Sequence, residues 1–96
     1  MKIALIGPGI MPIPPEGWGG VEHLIWNFHN QLKEVGDEVT IINTKDLHEI
    51  VNTINRGKFD AIHLHYDQYA NIMPYIECDR KMITSHYPYL ENPEPQ

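Results

Sequence analysis

The groups able to do chemistry in this sequence are six histidines, thirteen carboxylate residues and one glycine-rich loop. The loop carries the most specific signal. Residues 7–20 hold five glycines and four prolines and end Gly17-Trp18-Gly19-Gly20-Val21-Glu22, where a helical pattern begins. Strand-to-helix loops usually take about two to six residues, so this one is long. Glycines before a helix let backbone amides approach an anion, and the helix N-terminus adds partial positive charge. That chemistry suits a phosphate. Trp18 is placed either to stack on a sugar or base or to pin the loop, and a proline-stiffened structural loop is the competing reading. A dinucleotide fingerprint is excluded: Gly7-Pro8-Gly9-Ile10-Met11-Pro12 lacks the third glycine, and Asn43-Thr44-Lys45 offers no carboxylate for a ribose. A Walker-type lysine loop is absent as well, which removes ATP in that mode.

The histidines divide by position. His63 and His65 lie two apart on a strand pattern, so they share a face. His63 is mid-strand and is expected to pack under a helix. His65 stands at the strand's carboxyl end, and His86 follows the next strand at the same edge. His23, His29 and His48 fall on helix patterns and are expected to be solvated. His63-Leu64-His65-Tyr66-Asp67 matches the start of a metallo-hydrolase His-x-His-x-Asp-His motif, with Gln68 where the last histidine belongs. Zinc needs three or four convergent ligands, so no metal site is expected there. Cys78 has no recognisable nucleophile context and reads as structural.

These residues need a scaffold, and the hydrophobic pattern supplies one. Residues 2–6 are an apolar run stopped by Gly7-Pro8-Gly9, as expected of a strand covered on both faces. Val21, Leu24, Ile25, Phe28, Leu32 and Val35 recur at helical spacing, and Gly36 fits a left-handed stop. Residues 38–43 predict a second strand. Leu47, Ile50, Val51 and Ile54 predict a second helix, with Asp46 at its start and Gly57 at its end. Residues 59–65 predict a third strand. Tyr69, Ile72, Met73 and Ile76 predict a helix shortened or broken by Pro74, and residues 81–85 predict a fourth strand. Alternating strands and helices define an α/β fold with a parallel sheet and right-handed crossovers. The expected order is 3-2-1-4, which would put the ligand edge between strands one and four.

Composition narrows the function classes. At 42% hydrophobic and 21% charged, the chain has the make-up of a folded domain. A net charge of −6 without basic clusters argues against nucleic acid and anionic membranes as partners. A single cysteine excludes an internal disulfide framework and suits a reducing compartment. No apolar run approaches the ~18 residues of a membrane span, and the N-terminal apolar stretch is short for a signal peptide. A cytoplasmic location is the expectation.

The segment Met1-Lys2-Ile3-Ala4-Leu5-Ile6, a proline-containing loop, and Gly19-Gly20-Val21-Glu22 opening a helix resemble the N-terminus of GT-B-fold retaining glycosyltransferases of the glycosyltransferase family 4 type. Gly36-Asp37-Glu38-Val39-Thr40, Asp60-Ala61-Ile62-His63-Leu64-His65 and Ile83-Thr84-Ser85-His86 extend the similarity to about residue 88. The resemblance implies a Rossmann-like N-terminal domain of an enzyme that moves a sugar from a nucleotide-diphosphate sugar to an acceptor with retention. It implies that Gly19 and Gly20 approach the donor diphosphate and that His86 lies beside the transferred sugar as the catalytic residue. Trp18, Glu22, His65, Tyr66 and Asp67 would line the acceptor side. No cofactor is implied, because the nucleotide sugar is a substrate.

Enzymes of this type also carry a C-terminal nucleotide-sugar domain, for which this sequence has no counterpart. The expectation is that residues 1–96 are the front part of an N-terminal domain. Its partners would be the C-terminal domain of the same enzyme, the nucleotide sugar and an acceptor. Alone it is expected to be inactive and prone to self-association through the fourth strand. The alternatives are a non-catalytic Rossmann-like binding or interaction module and, further off, a metal-dependent hydrolase using His-x-His-x-Asp.

Overall fold

In the computed structural model, which describes residues 1–10, 12–14, 17 and 20–84, strands and helices alternate as the pattern predicts. β1 (Lys2–Gly7), β2 (Glu38–Asn43), β3 (Ala61–Leu64) and β4 (Arg80–Ile83) form a single parallel sheet. α1 (Gly20–Glu34) connects β1 to β2, and α2 (Leu47–Gly57) connects β2 to β3. A 3₁₀ helix (Asp67–Tyr75) connects β3 to β4, where Pro74 had pointed to a short or broken element. Proline lacks the N–H that a continuing α-helix needs.

The strand order is β2-β1-β3-β4, which corrects the expected 3-2-1-4. β1 is interior, as its two-faced apolar run requires, but its second neighbour is β3, with Leu5 opposite His63 and Ile6 opposite Leu64. The cause lies in which face each helix covers. A right-handed crossover stepping one way along the sheet puts its helix on one face, and a step the other way puts the next helix on the opposite face. Phe28 of α1 packs edge-on against His63 and His65. Ile50 and Ile54 of α2 join Ala4, Ile6, Ile62 and Leu64 in a cluster on the other face. Ile72 and Ile76 enter that same cluster, because β3 to β4 steps in the same direction as β2 to β3. The direction therefore reverses once, between β1 and β3, and the topological switch point sits there rather than between β1 and β4.

Local chemistry sets the ends of the elements. Gly36 adopts the left-handed conformation (φ 96°) expected after α1. At the end of α2 that role falls to Lys58 (φ 55°) instead of Gly57. Gly57 is constrained by packing: a Cβ there would lie 2.4 Å from Cε2 of Phe59, whose ring is buried in the core beneath α2. Asp46 caps α2, its Oδ1 accepting from the His48 and Glu49 amides at 3.1 and 3.2 Å. Asp46→Ala should cost about 1 kcal/mol, lowering Tm by about 4–8 °C in a domain of this size. Thermal unfolding followed by circular dichroism measures this; an unchanged Tm would contradict the assigned cap.

β4 is an outer strand among the described residues. All four of its residues are exposed, with Met82 at 55% and Ile83 at 45%. No described helix is long and apolar enough to cross a membrane.

Candidate functional site at the β1–β3 switch point

The long loop after β1 divides into two halves with different physical roles. In the first half the glycines serve packing. A Cβ on Gly7 would meet Oδ1 of Asn43 at 2.7 Å. Gly9 has φ 75°, and a Cβ there would fall 2.4 and 2.6 Å from the Thr44 and Lys45 backbone. Asn43 Oδ1 accepts the Gly9 N–H at 2.9 Å, and Tyr69 donates its hydroxyl to the Pro8 carbonyl at 2.6 Å. The Gly-Pro-Gly turn is thus held between the end of β2 and the 3₁₀ helix. Asn43 and Tyr69 were not singled out from the sequence as site residues. Asn43 stands out only as a strand-end amide, and Tyr69 reads as part of an apolar face.

The second half differs. Gly20 is the first residue of α1, is exposed, and has no atom of the described residues within 4 Å of where a Cβ would sit. It has no positive φ, and no described residue packs against it there. Gly17 likewise meets no described residue there, and its carbonyl accepts from Nε2 of His23 at 3.2 Å, so that nitrogen carries the proton. This contact ties the end of the loop to the first turns of α1. His23 is exposed, as expected for a helix-surface histidine.

Glu22 is 95% buried in the first turn of α1, where a carboxylate faces the positive end of the helix. His63 and His65 lie on the α1 side of β3, their ring centroids 3.9 Å apart and Phe28 set edge-on to both. Nε2 of His63 is 2.6 Å from Oγ1 of Thr84, which links β3 to the end of β4. His63 thus packs under a helix as expected. His65 is buried to 1% exposure, and its backbone N–H extends the ladder to the Ile6 carbonyl at 3.0 Å. It lies beneath the edge, as a support for the β1 and β3 ends. Tyr66 is half-buried and packs edge-on against Tyr69, at 4.7 Å between centroids, which connects it to the Pro8 turn. Asp67 opens the 3₁₀ helix. Trp18, Gly19 and His86 lie outside the described residues.

The switch point therefore gathers the Pro8–Gly9 turn, the start of α1 at Gly20 and Glu22, and the His65–Tyr66 end of β3. Leu64 points into the opposite core, away from the two histidines. Among the described residues no group of three or more His, Cys, Asp or Glu is arranged to hold a metal ion. Trp26 stacks on His29 at 4.8 Å and 10°, away from this edge. Cys78 donates its thiol to the Phe59 carbonyl at 3.4 Å, consistent with a structural residue.

No family model matches the chain. No curated protein matches it either. Among solved structures it is similar to AviGT4, a glycosyltransferase involved in avilamycin A biosynthesis, with a TM-score of 0.65 at 21% identity. The similarity covers 71% of this chain and 27% of that one. The fold is glycosyltransferase-like, and the chain corresponds to about a quarter of the solved enzyme's length.

Proposed function

We propose that this chain is the acceptor-side portion of a retaining glycosyltransferase of the GT-B type, and that its switch-point edge receives the diphosphate of a nucleotide-diphosphate sugar. The observation that carries the reading is Gly20. The residue opens α1 at the ligand edge of the sheet, yet neither its conformation nor any described neighbour requires a glycine. Close approach of a ligand to the backbone is a reason for the missing side chain that the described residues do not supply.

The chemistry follows from that placement. As the bond between the anomeric carbon and the diphosphate breaks, negative charge grows on the leaving oxygen. Backbone N–H groups already aimed at that oxygen stabilise the charge without reorganisation. Gly19 and Gly20 supply these donors. Trp18, Glu22, His65, Tyr66 and Asp67 form the acceptor side, with the buried Glu22 and His65 acting by supporting the edge. His86 lies beside the transferred sugar. The second domain of the enzyme completes the nucleotide site, so the 96-residue chain transfers no sugar alone.

Titration calorimetry with UDP-glucose and GDP-mannose, beside a transfer assay with radiolabelled sugar, tests this reading. The expected result is weak binding of at least one nucleotide sugar and no transfer. Transfer by the chain alone, or no binding of either nucleotide sugar, would overturn it.

A further inference from the structure

Away from the switch point, α2 and the 3₁₀ helix enclose a cleft of about 350 Å³. Its floor is apolar, formed by Leu47, Val51 and Ile72. Its polar groups are the His48 imidazole and the amides of Asn52 and Asn71, and Tyr75 closes one end with its ring 70% exposed. Among the described residues no charged side chain lines it, in a chain whose net charge is −6.

The walls are held apart by residues outside the cleft. Asn55, one turn beyond Val51, donates Nδ2 to the Tyr75 carbonyl at 3.0 Å and accepts the Glu77 N–H at 2.8 Å. Lys81 donates to the Met73 and Ile76 carbonyls at 3.1 and 3.2 Å. These bonds fix the end of the 3₁₀ helix against α2, so the opening is already formed. The Asn55 amide is used in holding the wall, whereas no described residue bonds the Asn52 or Asn71 side chain. Leu47 and His48 start α2 beyond the carboxyl end of β2, so the cleft begins near the ligand edge and runs down the helix seam.

We propose that this cleft is a binding site for a neutral pyranose. A sugar ring presents an apolar C–H face and a rim of hydroxyls. The floor and the Tyr75 ring match the first, and two amides and an imidazole, each able to donate and accept, match the second. The absence of charge disfavours a phosphorylated or carboxylated ligand, and it separates this cleft from the switch-point edge. Within the proposed function the ligand is a remote unit of a glycan acceptor. That role alone rests on the proposed function, because binding of a neutral sugar here requires no donor site.

Amide correlation spectra of the chain, titrated with the methyl glycosides of glucose, galactose and mannose, test the proposal. Cyclohexanol serves as the apolar control. At least one glycoside should bind with a Kd of about 1 mM, the range open to a ligand of this size. The shifts should fall at Val51, Asn52, Asn71, Ile72 and Tyr75. Tyr75→Ala and Asn52→Ala should each weaken binding about fivefold or more, with the remaining spectrum preserved, since both side chains are exposed. Glu34→Gln, exposed at the end of α1, should leave it unchanged. Shifts absent from this seam for all three glycosides, shifts that survive both substitutions, or an equal response to cyclohexanol would each overturn the proposal. No shift at Gly20 with any nucleotide sugar, with the cleft still responding to a glycoside, would count only against the edge.

Discussion

Gly20→Val should abolish nucleotide-sugar binding without harming the fold. A valine at that position meets no atom of the described residues within 4 Å of its Cβ, and valine is a better helix former than glycine. The Tm is therefore expected to stay level or rise. The added branch projects into the space a diphosphate needs to reach the α1 amides, so affinity for UDP-glucose or GDP-mannose should fall about tenfold or more. Gly20→Ala, with one methyl, should fall in between. Calorimetric titration of both variants alongside thermal unfolding measures the two effects separately. Retained affinity in a folded Gly20→Val protein would remove the phosphate role from this residue.

Gly9→Ala should do the reverse and damage the fold directly. The residue sits at φ 75°, which costs a non-glycine residue about 1–3 kcal/mol. The new Cβ would also press on the Thr44–Lys45 backbone at 2.4 and 2.6 Å, and overpacking of that kind adds about 1–3 kcal/mol. Neither contact is with a flexible side-chain end that could swing away. Together they predict a Tm lowered by about 10 °C or more, a large share of the ~5–15 kcal/mol that holds such a domain together. Gly17→Ala, with no described residue within 4 Å of the new Cβ, serves as the control and should be nearly silent. Equal stability of Gly9→Ala and the parent would show that the Pro8–Gly9 turn is not wedged against the end of β2.

These two glycines show what the sequence could and could not convey. Composition marked both as members of one loop, but only tertiary contact separates them: Gly9 is fixed by Thr44 and Asn43, some 35 residues away, while no described residue fixes Gly20. The elements themselves were legible. Residues 38–43 form β2 as written, Gly36 stops α1, and Asp46 caps α2, because each depends on near neighbours. Strand order was not legible. Ile3, Leu5, Ala4 and Ile6 make both faces of β1 apolar, so the pattern does not say which helix lies on which side. The one usable signal was in β3, where His63 and His65 alternate with Ile62 and Leu64. The histidine side faces α1 and the aliphatic side faces α2, which requires the two crossovers to run in opposite directions. That reversal brings His65 and Tyr66 next to the β1 loop.

The central claim is that the edge between β1 and β3 receives the donor diphosphate on the amides that open α1. Amide correlation spectra recorded while the chain is titrated with UDP-glucose, GDP-mannose and inorganic pyrophosphate test it most directly. The account predicts that the largest shifts fall on Gly20, Val21 and Glu22, with smaller ones at Gly9 and Tyr66, and that pyrophosphate alone reproduces the α1 shifts. Shifts confined to the opposite edge, around Asp60, Asp79 and Arg80, or no response at Gly20 to any of the three compounds, would contradict it.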